Sequence, residues 1–171
     1  VNVLAYSLTQ VWRKPMPLVL KENIMDNIGA STTWRWYGYD NAWTEIDGLQ
    51  MKSVTGGGHS GAGMFISTQD MARFGLLFLN NGRWENKQLI SEEWIKKATT
   101  PSIPNSNYGY MWWLNKKGER HWEGLSENIY YAAGFGGNCI VIDKENDLVV
   151  VTRWLEPNKI GACMKKVNAA L

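Results

Sequence analysis

The stretch Ile129-Tyr130-Tyr131-Ala132-Ala133-Gly134-Phe135-Gly136-Gly137-Asn138-Cys139-Ile140-Val141-Ile142-Asp143-Lys144-Glu145-Asn146-Asp147-Leu148-Val149-Val150-Val151-Thr152-Arg153-Trp154 decides the fold class. It holds three short apolar runs: Ile129 to Ala133, Asn138 to Asp143 and Leu148 to Trp154. Runs of this length, rich in Val, Ile and Tyr and bounded by Gly, Asn and Asp, read as strands. Lys144 to Asp147 is short enough only for a tight turn, so the last two strands are expected to pair antiparallel. Between the first two lies a glycine cluster, Gly134-Phe135-Gly136-Gly137. Glycines there let a ligand approach the backbone closely, and an open strand edge offers N–H groups to a developing oxyanion. A bulge or bend between strands accounts for the same glycines without any ligand.

Working outward, Tyr108 to Leu114 reads as a fourth strand and Lys116 to Asn128 as a polar connection. Pro157 opens a terminal helix with Ile160, Cys163, Val167 and Leu171 on one face. Upstream the pattern is mainly helical. Val3 to Arg13 reads as a helix through Leu4, Leu8 and Val11. A second runs from Pro17 to Ile28 and stops at Gly29. Ser67-Thr68-Gln69-Asp70 has the form of a capping box for a helix reaching about Asn81, with Met71, Phe74, Leu77 and Phe78 inward and Gly82 as its stop. Ser91 caps Glu92 to Ala98, whose charges match the helix dipole. Asp47-Gly48 marks a type I′ hairpin within Trp43 to Val54. Gly56 to Gly63 is a glycine-rich loop carrying His59 and Ser60. Helices, then an antiparallel meander, then a helix make an α+β chain. Residues 1–105 form a mainly helical region, and residues 106–171 the strands and terminal helix.

The net charge of +2 and the lack of any Lys/Arg-rich run argue against nucleic acid as a partner. No apolar run approaches the roughly 20 residues of a transmembrane helix. The opening segment has neither the basic region nor the cleavage site of a signal peptide. It begins inside an apolar-periodic segment without an initiator methionine, so the N-terminus is read as cut. Cys139 and Cys163 suit neither a disulfide framework nor a zinc site, and read as buried thiols. With His59 and His121 as the only histidines, neither a metal site nor a Ser-His-Asp triad is indicated, and no cofactor is implied. The ten tryptophans point to a large aromatic core or to an aromatic-lined binding surface. No Ser is followed three residues later by Lys, so the chain shows no S-x-x-K nucleophile.

Five pieces in order carry a resemblance. Gly61 to Phe74 resembles a small-residue loop entering an S-T-x-D-[LM]-A-[RK]-F helix. Asn81-Gly82-Arg83-Trp84 with Leu89-Ile90-Ser91 resembles an N-G…x-L-[IV]-S link. Tyr108 to Trp113 resembles a Y-G-x-G-W strand, with Met111 at the second Gly. Ala133 to Asn138 and then Asp143 to Val151 resemble a G-x-G-G strand and the hairpin after it. Val1 to Gly29 resembles the helix pair that follows a Tyr motif. Together they are similar to the C-terminal part of the β-lactamase and penicillin-binding-protein family of serine hydrolases.

The resemblance implies an antiparallel sheet flanked by helices, with residues 1–171 as the C-terminal part of one catalytic domain. It implies an acyl-serine mechanism on a small ester, amide or peptide-like substrate, with the Ser, Lys and Tyr upstream of Val1. It also implies a place outside the cytoplasm. The family's [KH]-[TS]-G falls on Ala132-Ala133-Gly134, where Ala supplies neither the cation nor the hydroxyl that holds a β-lactam carboxylate. The resemblance makes the Phe135 backbone N–H the oxyanion donor beside Gly134. Ala132, Ala133, Gly136, His59, Ser60 and Trp112 are expected to line the substrate site. Trp34, Trp36 and Tyr37 are read either as an aromatic lid or as packing between helices. A non-catalytic glycan- or peptidoglycan-binding or sensor module is the other reading of the aromatic content.

Overall fold

Alternating Val, Ile and Tyr residues build the largest sheet among the described residues. The computed structural model describes residues 2–54, 63–118 and 120–171. They form two compact units, Val1–Ser67 and Thr68–Leu171. In the second unit, strands β7 (Trp113–Leu114), β8 (Tyr130–Gly134), β9 (Asn138–Asp143) and β10 (Leu148–Thr152) form an antiparallel sheet in the order β10-β9-β8-β7. The expected pairing of the last two strands is present, with Asp147 in the left-handed conformation in their turn.

The period of two along β8 and β9 gives the sheet two faces. Ile129, Tyr131, Cys139 and Val141 are buried with Ile160 and Met164 of helix α5 (Ile160–Asn168). The opposite face meets helix α3 (Thr68–Leu79). Gly75 makes that meeting close: a Cβ there would lie 2.6 Å from Val149 Cγ1 and 2.8 Å from Ile140 Cγ2. Tyr130 is buried on this side and its hydroxyl donates to the Phe78 carbonyl at 3.0 Å. Asp70 is fully buried in the first turn of α3, where the helix dipole favours a carboxylate, and accepts from Arg73 at 3.2 Å. The helix ends in a Schellman motif: Asn81 takes the left-handed position, and the Gly82 N–H reaches the Leu77 carbonyl at 2.8 Å. The stop is therefore set one residue before the expected Gly82. Helix α4 (Glu92–Ala98) begins as read, with the Ser91 hydroxyl accepting from the Trp94 N–H.

Two expected elements are shorter. The strand expected over Tyr108 to Leu114 is confined to β7. Before it the chain reverses, with a Tyr108–Trp113 bridge, a Gly109 N–H to Trp112 carbonyl bond of 2.9 Å and Met111 at φ 66°. The helix expected from Pro17 to Ile28 is α2 (Met16–Leu20) followed by a π-helical turn, Lys21–Met25. The Asn23 and Asn27 side chains bond carbonyls at Val19, Glu22 and Asn23, competing with the regular ladder. Gly29 then closes a Schellman motif, as its placement predicts.

The first unit also holds helix α1 (Asn2–Trp12), whose Ala5 packs with Met16, Val54, Val19 and Trp36. Val3, Leu4, Leu8 and Val11 of α1 are exposed. Strands β2 (Trp43–Ile46) and β3 (Leu49–Lys52) form the expected hairpin, with Asp47 and Gly48 both at positive φ. Strands β1 (Arg35–Trp36) and β4 (Met64–Phe65) pair separately, and in the second unit β5 (Arg83–Trp84) and β6 (Lys87–Gln88) form a small hairpin. Of the expected aromatic lid, Trp36 packs in this unit's core, while Tyr37 is exposed and edge-on to Phe65 at 5.9 Å. No helix among the described residues is long and apolar enough to cross a membrane.

Gly75→Val is expected to cost about 1–3 kcal/mol by overpacking, read as a lower urea midpoint; an unchanged midpoint contradicts the close contact of α3 with the sheet. Burial pushes the Tyr130 phenol up from its ordinary value. Folded Tyr130 therefore keeps a proton that the unfolded chain gives up above about pH 10, and stability is present below that pH and falls as pH rises past it. Tyr130→Phe should flatten this alkaline limb. Some slope should remain from Tyr131 and Cys139, which burial also pushes up.

Candidate functional site

Hydrogen-bond parity fixes which backbone groups of β8 are available. The Asn115 N–H donates to the Ile129 carbonyl at 2.9 Å. In an antiparallel strand alternate residues turn both polar groups to the same side. Tyr131 and Ala133 therefore direct their N–H and C=O groups to the β7 side, and Tyr130, Ala132 and Gly134 theirs to β9; the Phe135 N–H, trans to the Gly134 carbonyl across one peptide, also points to the β7 side. The ladder with β7 ends at the Trp113–Tyr131 pair. Beyond it, Ala133 and Phe135 present backbone N–H groups at an edge with no strand partner among the described residues.

The turn after this edge is held tightly. Gly134 pairs with Asn138, leaving Phe135-Gly136-Gly137 as a three-residue connection. Both inner glycines have positive φ, 73° and 70°. A Cβ on Gly137 would fall 1.5 Å from the Leu155 carbonyl oxygen, and one on Gly136 2.8 Å from the Trp154 ring. The Asn138 amide donates to the Phe135 carbonyl at 2.6 Å, and Arg153 Nε donates to Asn138 Oδ1 at 2.8 Å. The glycine cluster is thus a hairpin turn that also exposes an edge.

Ala132 is half-buried, Ala133 and Gly134 are exposed, and Phe135 is 95% exposed at the tip. Gly136 is half-buried against Trp154. Trp112, expected to line the substrate site, is instead 6% exposed and packed 4.5 Å from Phe78 and 5.2 Å from Tyr130. The reversal at Met111 turns it inward, and Trp113 takes the half-exposed position. His59 and Ser60 lie outside the described residues. Sequence reading missed Trp154, Asn138 and Arg153 as supports of the turn. A polar Asn directly after Gly136-Gly137 is the one signal that could have pointed to them.

A cavity of about 570 Å³ lies at the other end of the sheet, lined by residues that include Lys116, Glu127, Lys144 and Glu145. Its charges balance, and burial pushes the Lys144 amine down. Lys144 bonds the Asn81 side chain, so it ties the β9–β10 turn to the end of α3. Among the described residues no group of three or more His, Cys, Asp or Glu is placed to hold a metal ion, and both cysteines are free thiols.

Comparison with known proteins bears on this geometry. The beta-lactamase family profile matches residues 21–154. A protein named "Putative D-alanyl-D-alanine carboxypeptidase" from Escherichia coli O157:H7 is 30% identical over 135 residues, covering 77% of this chain and 29% of that protein. The chain thus spans less than a third of the length of the curated relatives it matches. A beta-lactamase from Mycobacterium bovis superposes with a TM-score of 0.69 at 19% identity, over 99% of this chain and 61% of that one. A penicillin-binding protein homolog from Caulobacter crescentus gives 0.58 at 16% identity, over 84% and 48%. These structures share the fold: an antiparallel sheet with helices on its faces.

Gly137→Ala is expected to cost about 2–3 kcal/mol, because it adds a clash to a left-handed backbone. A thermal midpoint within a degree of the parent would contradict the described turn.

Proposed function

The chain belongs to the beta-lactamase family, and from that premise we propose that the intact protein is a serine hydrolase of small ester, amide or peptide-like substrates. The observation that carries the reading is the edge of β8, which ends its pairing with β7 just before Ala133 and Phe135. The Phe135 N–H is the proposed oxyanion donor. Gly134 and Gly136 let the substrate carbonyl come close to it.

No Ser of this chain has Lys three residues on. The proposal therefore assigns the nucleophilic Ser, with its Lys and Tyr, to sequence preceding Val1 in the intact protein. The Ser oxygen adds to the substrate carbonyl, and its proton passes to the Lys–Tyr pair. The oxyanion accepts from the Phe135 N–H and from the N–H of that Ser. The leaving group departs with the proton, and water then splits the acyl-enzyme to free acid and Ser. The carboxypeptidase names of the relatives favour a peptide-like amide. Ala132 and Ala133 offer neither ammonium nor hydroxyl, so efficient β-lactam hydrolysis is not expected. By the same resemblance the protein works outside the cytoplasm.

A fluorophosphonate probe on the intact polypeptide should give one adduct, mapped to a Ser before Val1, while the 171-residue chain alone gives neither adduct nor turnover. Absence of an adduct on the folded intact protein would overturn the hydrolase reading in favour of a binding or sensor module. Phe135→Pro, which deletes the N–H, should lower kcat by about 10²–10³ with little change in KM. An unchanged kcat would remove Phe135 from the oxyanion site.

A further inference from the structure

The chain leaves β10 at Thr152 and passes the β8–β9 turn through Arg153, Trp154 and Leu155. Two of these three are fastened. Arg153 Nε donates to Asn138 Oδ1 at 2.8 Å, and Leu155 packs into the core on the α5 face. Trp154 between them is different. Its backbone is left-handed, with φ 56°, and the residue is 71% exposed. The left-handed region disfavours any residue with a Cβ, and a bulky one there is an outlier. A tryptophan that serves the fold is normally well buried. Here a strained backbone carries a ring that the fold leaves mostly in solvent, and strain of this kind collects at ligand sites.

The seat of the ring decides what it meets. A Cβ on Gly136 would lie 2.8 Å from Trp154 Cε3 and Cζ3, so the indole rests on Gly136. Gly136 directly follows Phe135, whose N–H is the proposed oxyanion donor. Every pairing in this sheet is antiparallel. A peptide-like substrate that pairs with β8 beyond Tyr131 in the same sense runs from the turn toward Tyr131. Its acyl portion then lies at the turn, and its leaving group toward Ala133. The acyl portion reaches Gly136 and the indole. The turn Phe135-Gly136-Gly137 has no charged side chain, and Phe135 is exposed at its tip, so the surface offered there is aromatic.

We propose that Trp154 is a specificity-determining residue that receives an aromatic acyl group of the substrate. The inference rests on the hydrolase reading and names the acyl group which that site favours.

The test compares p-nitrophenyl phenylacetate with p-nitrophenyl acetate on the intact polypeptide, because the two share a leaving group and differ in the acyl group. In kcat/KM the phenylacetate should be preferred by about tenfold or more. Trp154→Asn should lower that preference by about fivefold or more. Its thermal midpoint should equal or exceed the parent's, because Asn suits the left-handed backbone. Trp154→Phe should keep most of the preference. Trp154→Gly suits the same backbone and decides the matter if Trp154→Asn does not fold. A parent without preference, a preference that Trp154→Asn or Trp154→Gly leaves unchanged, or a lowered midpoint with both esters lost alike would overturn the proposal. Any of these in a protein that fluorophosphonate labels would remove the acyl-group assignment and keep the hydrolase reading. Neither labelling nor ester turnover would remove both.

Discussion

The early end of the β7–β8 ladder is the constraint on which the site depends. Had Tyr108 to Leu114 run as one strand, its backbone would have continued along β8 and consumed the N–H groups of Ala133 and Phe135. The reversal at Met111 prevents that. The Trp113–Tyr131 pair is the last of the ladder, and two residues later β8 has no strand partner on this side among the described residues. An unsatisfied edge is a liability in most sheets. Here it is short, it ends in a hairpin turn, and it carries the proposed oxyanion donor.

Packing around the turn makes this edge rigid. Gly136 and Gly137 admit the Trp154 ring and the Leu155 backbone at distances no side chain would permit. The Asn138 amide ties down the Phe135 carbonyl, and Arg153 in turn holds the Asn138 side chain. Transition-state stabilisation by backbone donors needs such preorganisation, because a donor that must reorient contributes less than one already aimed.

Where chemistry is local, the sequence was legible. Asp47-Gly48 specified its hairpin, Ser91 its helix start, Gly29 its helix stop, and the Val-rich run after Asp147 its antiparallel partner. Reading failed where tertiary contacts override propensity. The alternation of Tyr108 to Leu114 is that of a strand, yet the Tyr110 N–H goes to the Ala98 carbonyl and Gly109 sits too close to Ala98 for any Cβ. That reversal also decided that Trp112, and not Trp113, would be buried.

The most direct test of the oxyanion assignment is the Phe135 amide itself. ¹⁵N-phenylalanine labelling of the intact protein reports this amide, and its signal is assigned by its loss in Phe135→Leu; this chain contributes three other phenylalanines as internal references. On phosphonylation of the nucleophile, a tetrahedral adduct places an anionic oxygen where the oxyanion would form. The account predicts that the Phe135 amide proton moves strongly downfield while those of Phe65, Phe74 and Phe78 stay in place. A phosphonylated protein with an unmoved Phe135 amide would contradict it.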